Sequence, residues 1–432
     1  MSSSPTTVFV ATNDLSGFTR GRAAPGNAAD GVLRRGLGWV PADLAVTAFG
    51  EVAPNPFGST GDLKLLPAES SGVDIPARGD LPGVRLYLAD QVLPDGTPWE
   101  NCPRGFARRA LDDLRRATGL EVVATFEHEF MIPGLDSGAP FSFARFRSAE
   151  PFGSELVSLL DRMGLEPETW LPEFGTDQYE ITLRPSDGMT AADRAVVLRE
   201  VVRDLASQYG HRATFAPLLH PEGSGNGVHV HLSLRDAATG RPVLFDASRP
   251  GGLSELGGRF SAGILRHARA LLSFTAGSPS SYLRLTPHRW SSAGVFLAER
   301  NREALLRICP TSSLGGGVAA DQFNLEYRAA DATANPWLVL GVLVRAGLRG
   351  LEADYAQPRV WPEEAGEADL AEVPSLPGGL EEALLELDKD DVVSGWFSAE
   401  LLETHRSVKR SELAAVAGLD ERDVCGRVAD VY

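Results

Sequence analysis

The chain predicts an α+β fold, with a small β-rich domain over residues 1–100 and a larger domain over 101–432. Three observations point to it. The first hundred residues are rich in Gly and Pro and hold only short β-like runs. From Pro103 on, segments of 3.6-residue period alternate with strand-like runs. Those runs put apolar side chains on one face and charged ones on the other.

In the first domain the β-like runs are "TTVFVATN", "LAVTAFG" and "VRLYLAD", closed by the turn-forming "LPDGTPWENCP". A helix then starts at Pro103, with Phe106, Ala110, Leu114 and Ala117 on one face and Gly119 past its end. Strand 120–132, helix 154–163 and a strand near 178–184 follow. The helix 191–208 has Thr190 as its expected N-cap and Gly210 as its stop. Further strands are expected at 212–219, 228–234, 282–286, 304–309 and 322–328. Helices are expected at 254–272, 335–352 and 379–388. The acidic run 361–379 reads as a surface loop.

Composition sets the class. The chain has 432 residues, 43% hydrophobic and 23% charged, which describes a globular protein. No apolar stretch has the length of a membrane helix, and the N-terminus lacks the pattern of a secretory signal, so a cytoplasmic location is expected. A net charge of −17, from 41 basic and 58 acidic residues, weighs against nucleic acid as partner. The 3 cysteines, Cys102, Cys309 and Cys425, are far apart, which suits a reducing compartment and no zinc knuckle.

The stretch "TFEHEFMI" places Glu127 and Glu129 on one strand face, although like charges side by side are unfavourable. Other strands carry the same signature. "VHVHLSL" turns His229, His231 and Ser233 one way. "QYEITLR" does so with Gln178, Glu180, Thr182 and Arg184. "QFNLEYR" aligns Gln322, Asn324, Glu326 and Arg328, and "SYLRLTP" groups Tyr282 with Arg284. Lysine is absent from all of them. Five such faces point to one concave sheet whose polar sides converge. Confined carboxylates call for cations. Several Glu with one or two His and no Cys suit Mg²⁺ or Mn²⁺. Arginines beside them suit a phosphate-bearing co-substrate, and no P-loop or GxGxxG run is present.

The ordered motifs resemble the glutamine synthetase family over nearly the whole chain. They are "FEHEF", "PEFGTDQYEI", "GSGNGVHVHLSL", "SYLRLTP", "RNREALLRI" and "LEYRAADATANPW". The resemblance implies a β-grasp-like N-terminal domain and a curved antiparallel half-barrel flanked by helices. It also implies ATP as co-substrate and about two to three Mg²⁺ or Mn²⁺ ions per active site. One ion would be held by Glu129, Glu173 and Glu180, another by Glu127, His229 and Glu326. Arg284, Gly225 and Ser224 would meet the substrate acid. Arg302 and Arg328 would serve the transferred phosphoryl group, and Arg307, His231 and Ser233 the nucleotide. The implied product is a γ-glutamyl amide made through an acyl phosphate, in a ring-shaped homo-oligomer, the dodecamer among its forms.

Two departures stand out. Trp290 occupies the place where the family's ammonium-binding glutamate is expected. No aspartate fits the N-terminal loop "AFGEVAPNPFGSTGD", with Glu51 and Asp62 merely nearby. Together they suggest an amine with an organic body in place of ammonia, a monoamine or aromatic amine ahead of a polyamine. A glutamine synthetase using ammonia, a non-catalytic relative and a phosphotransferase for guanidino compounds stay open as rivals.

Overall fold

The structure is a computed structural model that describes residues 6–135, 138–287, 289 and 291–432. It is α+β, as the alternation of periods predicts. A six-stranded sheet takes the order 19–25, 7–13, 84–92, 63–67, 37–39, with 73–75 added beside 84–92. Thr7–Asn13 runs parallel to Val84–Val92, while the other pairs are antiparallel. Arg104 links this part to the larger one. It reaches Asp90 at 3.0 Å and Asp193 at 2.7 Å, a buried guanidinium between two carboxylates.

The larger part is built on a nine-stranded, mostly antiparallel sheet. Leu120–Met131 is central, flanked by Gln178–Leu183 and by Val228–Asp236, which leads on to Leu325–Tyr327 and Ala304–Ile308. Burial alternates strictly along Leu120–Phe130, with Val122, Ala124, Phe126, His128 and Phe130 inward. That face packs on helices Gly188–Gln208 and Pro103–Thr118. Glu127 and Glu129 are therefore turned to the opposite side of the sheet.

Most expected elements are present. Pro103–Thr118 ends on Gly119 at φ 71, a left-handed stop that glycine takes without strain. Helices Phe152–Arg162, Glu255–Thr275, Pro336–Glu352 and Leu380–Lys389 match their predicted spans within a few residues. Five expectations are corrected. The long helix starts at Gly188, because the Asp187 carboxylate accepts from Thr190 N at 3.1 Å and caps it earlier. Residues 212–219 form only single bridges, Met131 with Thr214 and Leu218 with Gly225, around Pro217, which has no N–H to donate. "LAVTAFG" is a 3₁₀ turn with one bridge. "SYLR" is a helical turn, Ser281–Arg284, so Tyr282 and Arg284 do not share a face. The last predicted strand starts only at Leu325, after a turn of helix at Ala319–Gln322.

Candidate functional site

The register across the sheet builds the site step by step. Arg307 lies opposite Glu326, and Glu326 opposite His231. One position along, His229 lies opposite Glu127, and Glu129 lies opposite Glu180. Glu127, Glu129, Glu180, His229, Arg307 and Glu326 thus line one cavity of about 830 Å³. Glu173 joins from the loop before Gln178–Leu183, and Ser224 and Gly225 join from the glycine loop.

Two groups of potential cation ligands result. Ligand atoms of Glu127, His229 and Glu326 all lie within 4.8 Å of one another, and the same holds for Glu129, Glu173 and Glu180. The groupings coincide with those implied by the motifs. One trio is three carboxylates and the other two carboxylates with one imidazole, donor sets that suit a hard divalent cation.

Electrostatics separates the two trios. Burial, reinforced by Glu127, Glu129 and Glu173, pushes Glu180 up to about 10. Burial also raises Glu129 to about 7, with Glu173 and Glu127 adding to it. Burial raises Glu173 as well. The other trio is held anionic by cations. Burial would lift Glu326, yet Arg328, His229 and His231 hold it down at about 2. Burial would lift Glu127 too, but its bonds to His229 and His231 keep it well below the carboxylate range. His229 Nδ1 meets Glu127 Oε1 at 2.9 Å, and burial with Arg328 nearby lowers this imidazole to about 4.

Guanidinium groups ring the carboxylates. Arg307 Nη1 donates to Glu326 Oε2 at 2.7 Å, and Arg328 pairs with Glu326 Oε1. Arg302 lines the same cavity. Arg284 is buried, and its Nη2 donates to Ala330 O at 2.9 Å and Ala329 O at 3.2 Å. Its Nε is buried with no partner among the described residues.

The chain now meets known proteins. The model of the glutamine synthetase catalytic domain matches residues 100–421, and that of the glutamine synthetase N-terminal domain matches 5–99. The chain belongs to the glutamine synthetase family. A gamma-glutamylpolyamine synthetase of Streptomyces coelicolor is 30% identical, over 96% of this chain and 91% of that one. The type-1 glutamine synthetase 1 of Dictyostelium discoideum is 28% identical, over 86% and 78%. A solved structure described as a novel glutamine synthase homolog is 43% identical over 99% of both chains, with a TM-score of 0.92. A ligand-free GmaS structure, 24% identical with a TM-score of 0.81 over 95% and 93%, shares the fold. Membership in the family makes the chain a ligase joining carbon to nitrogen.

Not every expected residue lines the cavity. His231 and Ser233 sit beside it on the same strand face. His231 Nδ1 meets Asn324 Oδ1 at 2.9 Å, and Ser233 Oγ donates to Phe323 O at 3.0 Å. Trp290 lies outside the described residues. Glu51 and Asp62 are exposed and do not line the cavity. The motifs missed Phe141, Leu171, Phe174, Glu222 and Arg289, all of which do. Arg289, just past "SYLRLTP", and Phe174, inside "PEFGTDQYEI", carried a positional hint. Phe141 lies in a loop where neither period nor motif marks an inward side chain. Gln178 is a cross-brace. Its Nε2 donates to Gly225 O at 2.8 Å while its Oε1 accepts from Gly175 N at 2.9 Å.

Among the described residues no helix is long and apolar enough to cross a membrane.

Proposed function

We propose that this family member is an ATP-dependent glutamate–amine ligase that forms a γ-glutamyl amide with an amine other than ammonia. The observation that carries it is the pair of three-ligand groups in one cavity bordered by Arg284, Arg302, Arg307 and Arg328. Glu129, Glu173 and Glu180 would hold one Mg²⁺ or Mn²⁺, and Glu127, His229 and Glu326 another. The raised Glu129 and Glu180 fit this role, since carboxylates that burial forces to keep protons are partners for a cation. Bound cations would supply charge neutralisation at phosphoryl oxygens.

The chain's own groups do the rest. Arg284, beside Gly225 and Ser224, orients the α-carboxylate of glutamate. Its γ-carboxylate oxygen attacks the γ-phosphorus of ATP, and the bond to the ADP oxygen breaks. Arg302, Arg307 and Arg328 offset the charge on the transferred phosphoryl group and the acyl phosphate. The amine nitrogen then attacks the acyl carbon, and phosphate departs with its electron pair. His231 and Ser233 serve the nucleotide side, and Trp290 is assigned to the wall of the amine site. We assign residues 1–100 and 101–432 to separate domains and the protein to ring-shaped homo-oligomers in the cytoplasm.

The test is ADP release with ATP, Mg²⁺, glutamate and a panel of amines including ammonia, with product masses. An amide of mass glutamate plus amine minus water is expected. No ADP with any amine overturns the ligase, and ammonia as the best substrate by far overturns the choice of amine. That second outcome is the reading favoured by the relatives named glutamine synthetase.

A further inference from the structure

Three phenylalanines stand exposed among the described residues: Phe141 at 51%, Phe143 at 75% and Phe174 at 58%. The chain has 19, so covered rings are its rule. Phe143 opens the short helix Phe143–Ser148, while Phe141 and Phe174 lie in two loops and both line the cavity described above, together with half-buried Leu171. Large apolar side chains left open at a cavity mouth mark a place where something apolar is received.

The rim is built rather than loose. Arg145 is buried, and its Nη1 donates to Glu173 O at 2.5 Å and Gly175 O at 2.8 Å, while Nη2 donates to Gly138 O at 3.1 Å. One guanidinium therefore ties the loop that carries Phe141 to the loop that carries Glu173 and Phe174. Phe141 itself is held at φ 57, a region bulky side chains rarely enter. Phe174 N donates to Glu173 Oε2 at 2.8 Å, so this ring stands one residue from the reacting end of the cavity.

Charge narrows the ligand further. Outside the two trios the only carboxylate lining the cavity, among the described residues, is Glu222, and Arg422 already pairs with it at 3.0 Å. Arg289 adds a positive charge to the same lining, its Nη1 on Gly223 O at 3.0 Å. A second ammonium at the far end of the amine finds no unshared anion there.

We propose that Phe141, Leu171 and Phe174 form the subsite for the organic body of the amine and select an apolar monoamine over a diamine of equal length. The inference rests on the ligase reading above and adds the class of amine. Each methylene buried against such a rim is worth about fourfold in kcat/KM.

The test compares methylamine, butylamine and 1,4-diaminobutane with the full-length protein at saturating ATP, Mg²⁺ and glutamate. Butylamine is expected to exceed both others in kcat/KM by about tenfold or more. In Phe174→Ala the advantage of butylamine over the diamine shrinks toward one, and in Phe174→Asp it reverses. Phe174 is exposed, so both substitutions fall where folding does not depend on the ring. A diamine equal to or better than butylamine in the parent protein overturns the subsite while the ligase stands. So does a ratio unmoved in both variants. No ADP with any amine overturns both.

Discussion

Glu129 and Glu180 stand directly opposite each other on paired antiparallel strands, two carboxylates where cross-strand partners normally attract. Burial first, with the neighbouring carboxylates adding to it, lifts them to about 7 and about 10. In the unfolded chain both titrate near 4.5. A carboxyl whose folded value is raised contributes stability that is present below the unfolded value and lost as pH climbs through the folded one. After chelation the protein should therefore lose about 2–4 kcal/mol between pH 6 and pH 8. Mg²⁺ or Mn²⁺ should restore it. Thermal melts at each pH, with and without the cation, give the answer, and Glu180→Gln should flatten the metal-free slope.

Gly225 and Arg284 form a second close pair in the cavity. A Cβ on Gly225 would come within 2.4 Å of Arg284 Cγ and 3.0 Å of Pro217 O. Gly225→Ala should push the guanidinium off its carbonyl anchors at Ala329 and Ala330 and raise KM for glutamate about tenfold or more. Arg284→Lys should raise it about a hundredfold, since a point charge cannot replace the planar fork. KM for ATP should hardly move in either variant. Steady-state kinetics with each substrate varied in turn measures this split.

The parts that were legible in the sequence are those that depend on a period of two. Glu127, Glu129, His229, His231 and Glu326 lie on strands, and alternation alone sends them to one face. The corrected elements are those where the local text is ambiguous. "SYLRL" alternates over too few residues to tell a strand from a turn of helix. The helix Ala399–Ala415 was not foreseen because its buried face includes Thr404, His405, Lys409 and Glu412. Lys409 Nζ meets Glu412 Oε2 at 3.0 Å inside the protein, and Glu412 Oε1 accepts from Ser16 Oγ at 2.6 Å. Ser16 comes from the far end of the chain, and no local pattern reveals that Lys409 and Glu412 are buried together with it. The aromatic rim was hidden for a related reason, since loops carry no period at all.

His128 shares the strand with the two glutamates but faces the apolar layer. Burial, helped by Arg199, lowers it to about 3 from 6.5. Below pH 6.5 the unfolded chain takes up a proton that the native state refuses, so stability falls as pH falls toward 3. At pH 5 the penalty from this group is about 2 kcal/mol. His128→Phe, on a site already packed against Phe126 and Phe215, should shift the acid limb of a urea-unfolding series to lower pH. An unchanged acid limb would mean that other buried groups dominate it.

Glu326 is the most heavily committed carboxylate of the site. It is 1% exposed and answers Arg307 and Arg328, with His229 Nδ1 at 3.5 Å from its Oε1. Removing it takes away the carboxylate that Arg307 and Arg328 share, in a place where Arg328 is only 2% exposed. Breaking one half of such a buried pair costs about 3–5 kcal/mol, far more than the pair contributes over an apolar substitute. Glu326→Ala should therefore unfold at markedly lower urea, while Glu326→Gln keeps the shape and one carbonyl acceptor, enough for one of the two arginines, and loses less. Both variants should lose activity by several orders of magnitude, because a proposed cation ligand is gone in each. If Glu326→Gln instead kept near-normal ADP release, Glu326 would belong to the scaffold of the arginines and the second cation trio would lose its third member.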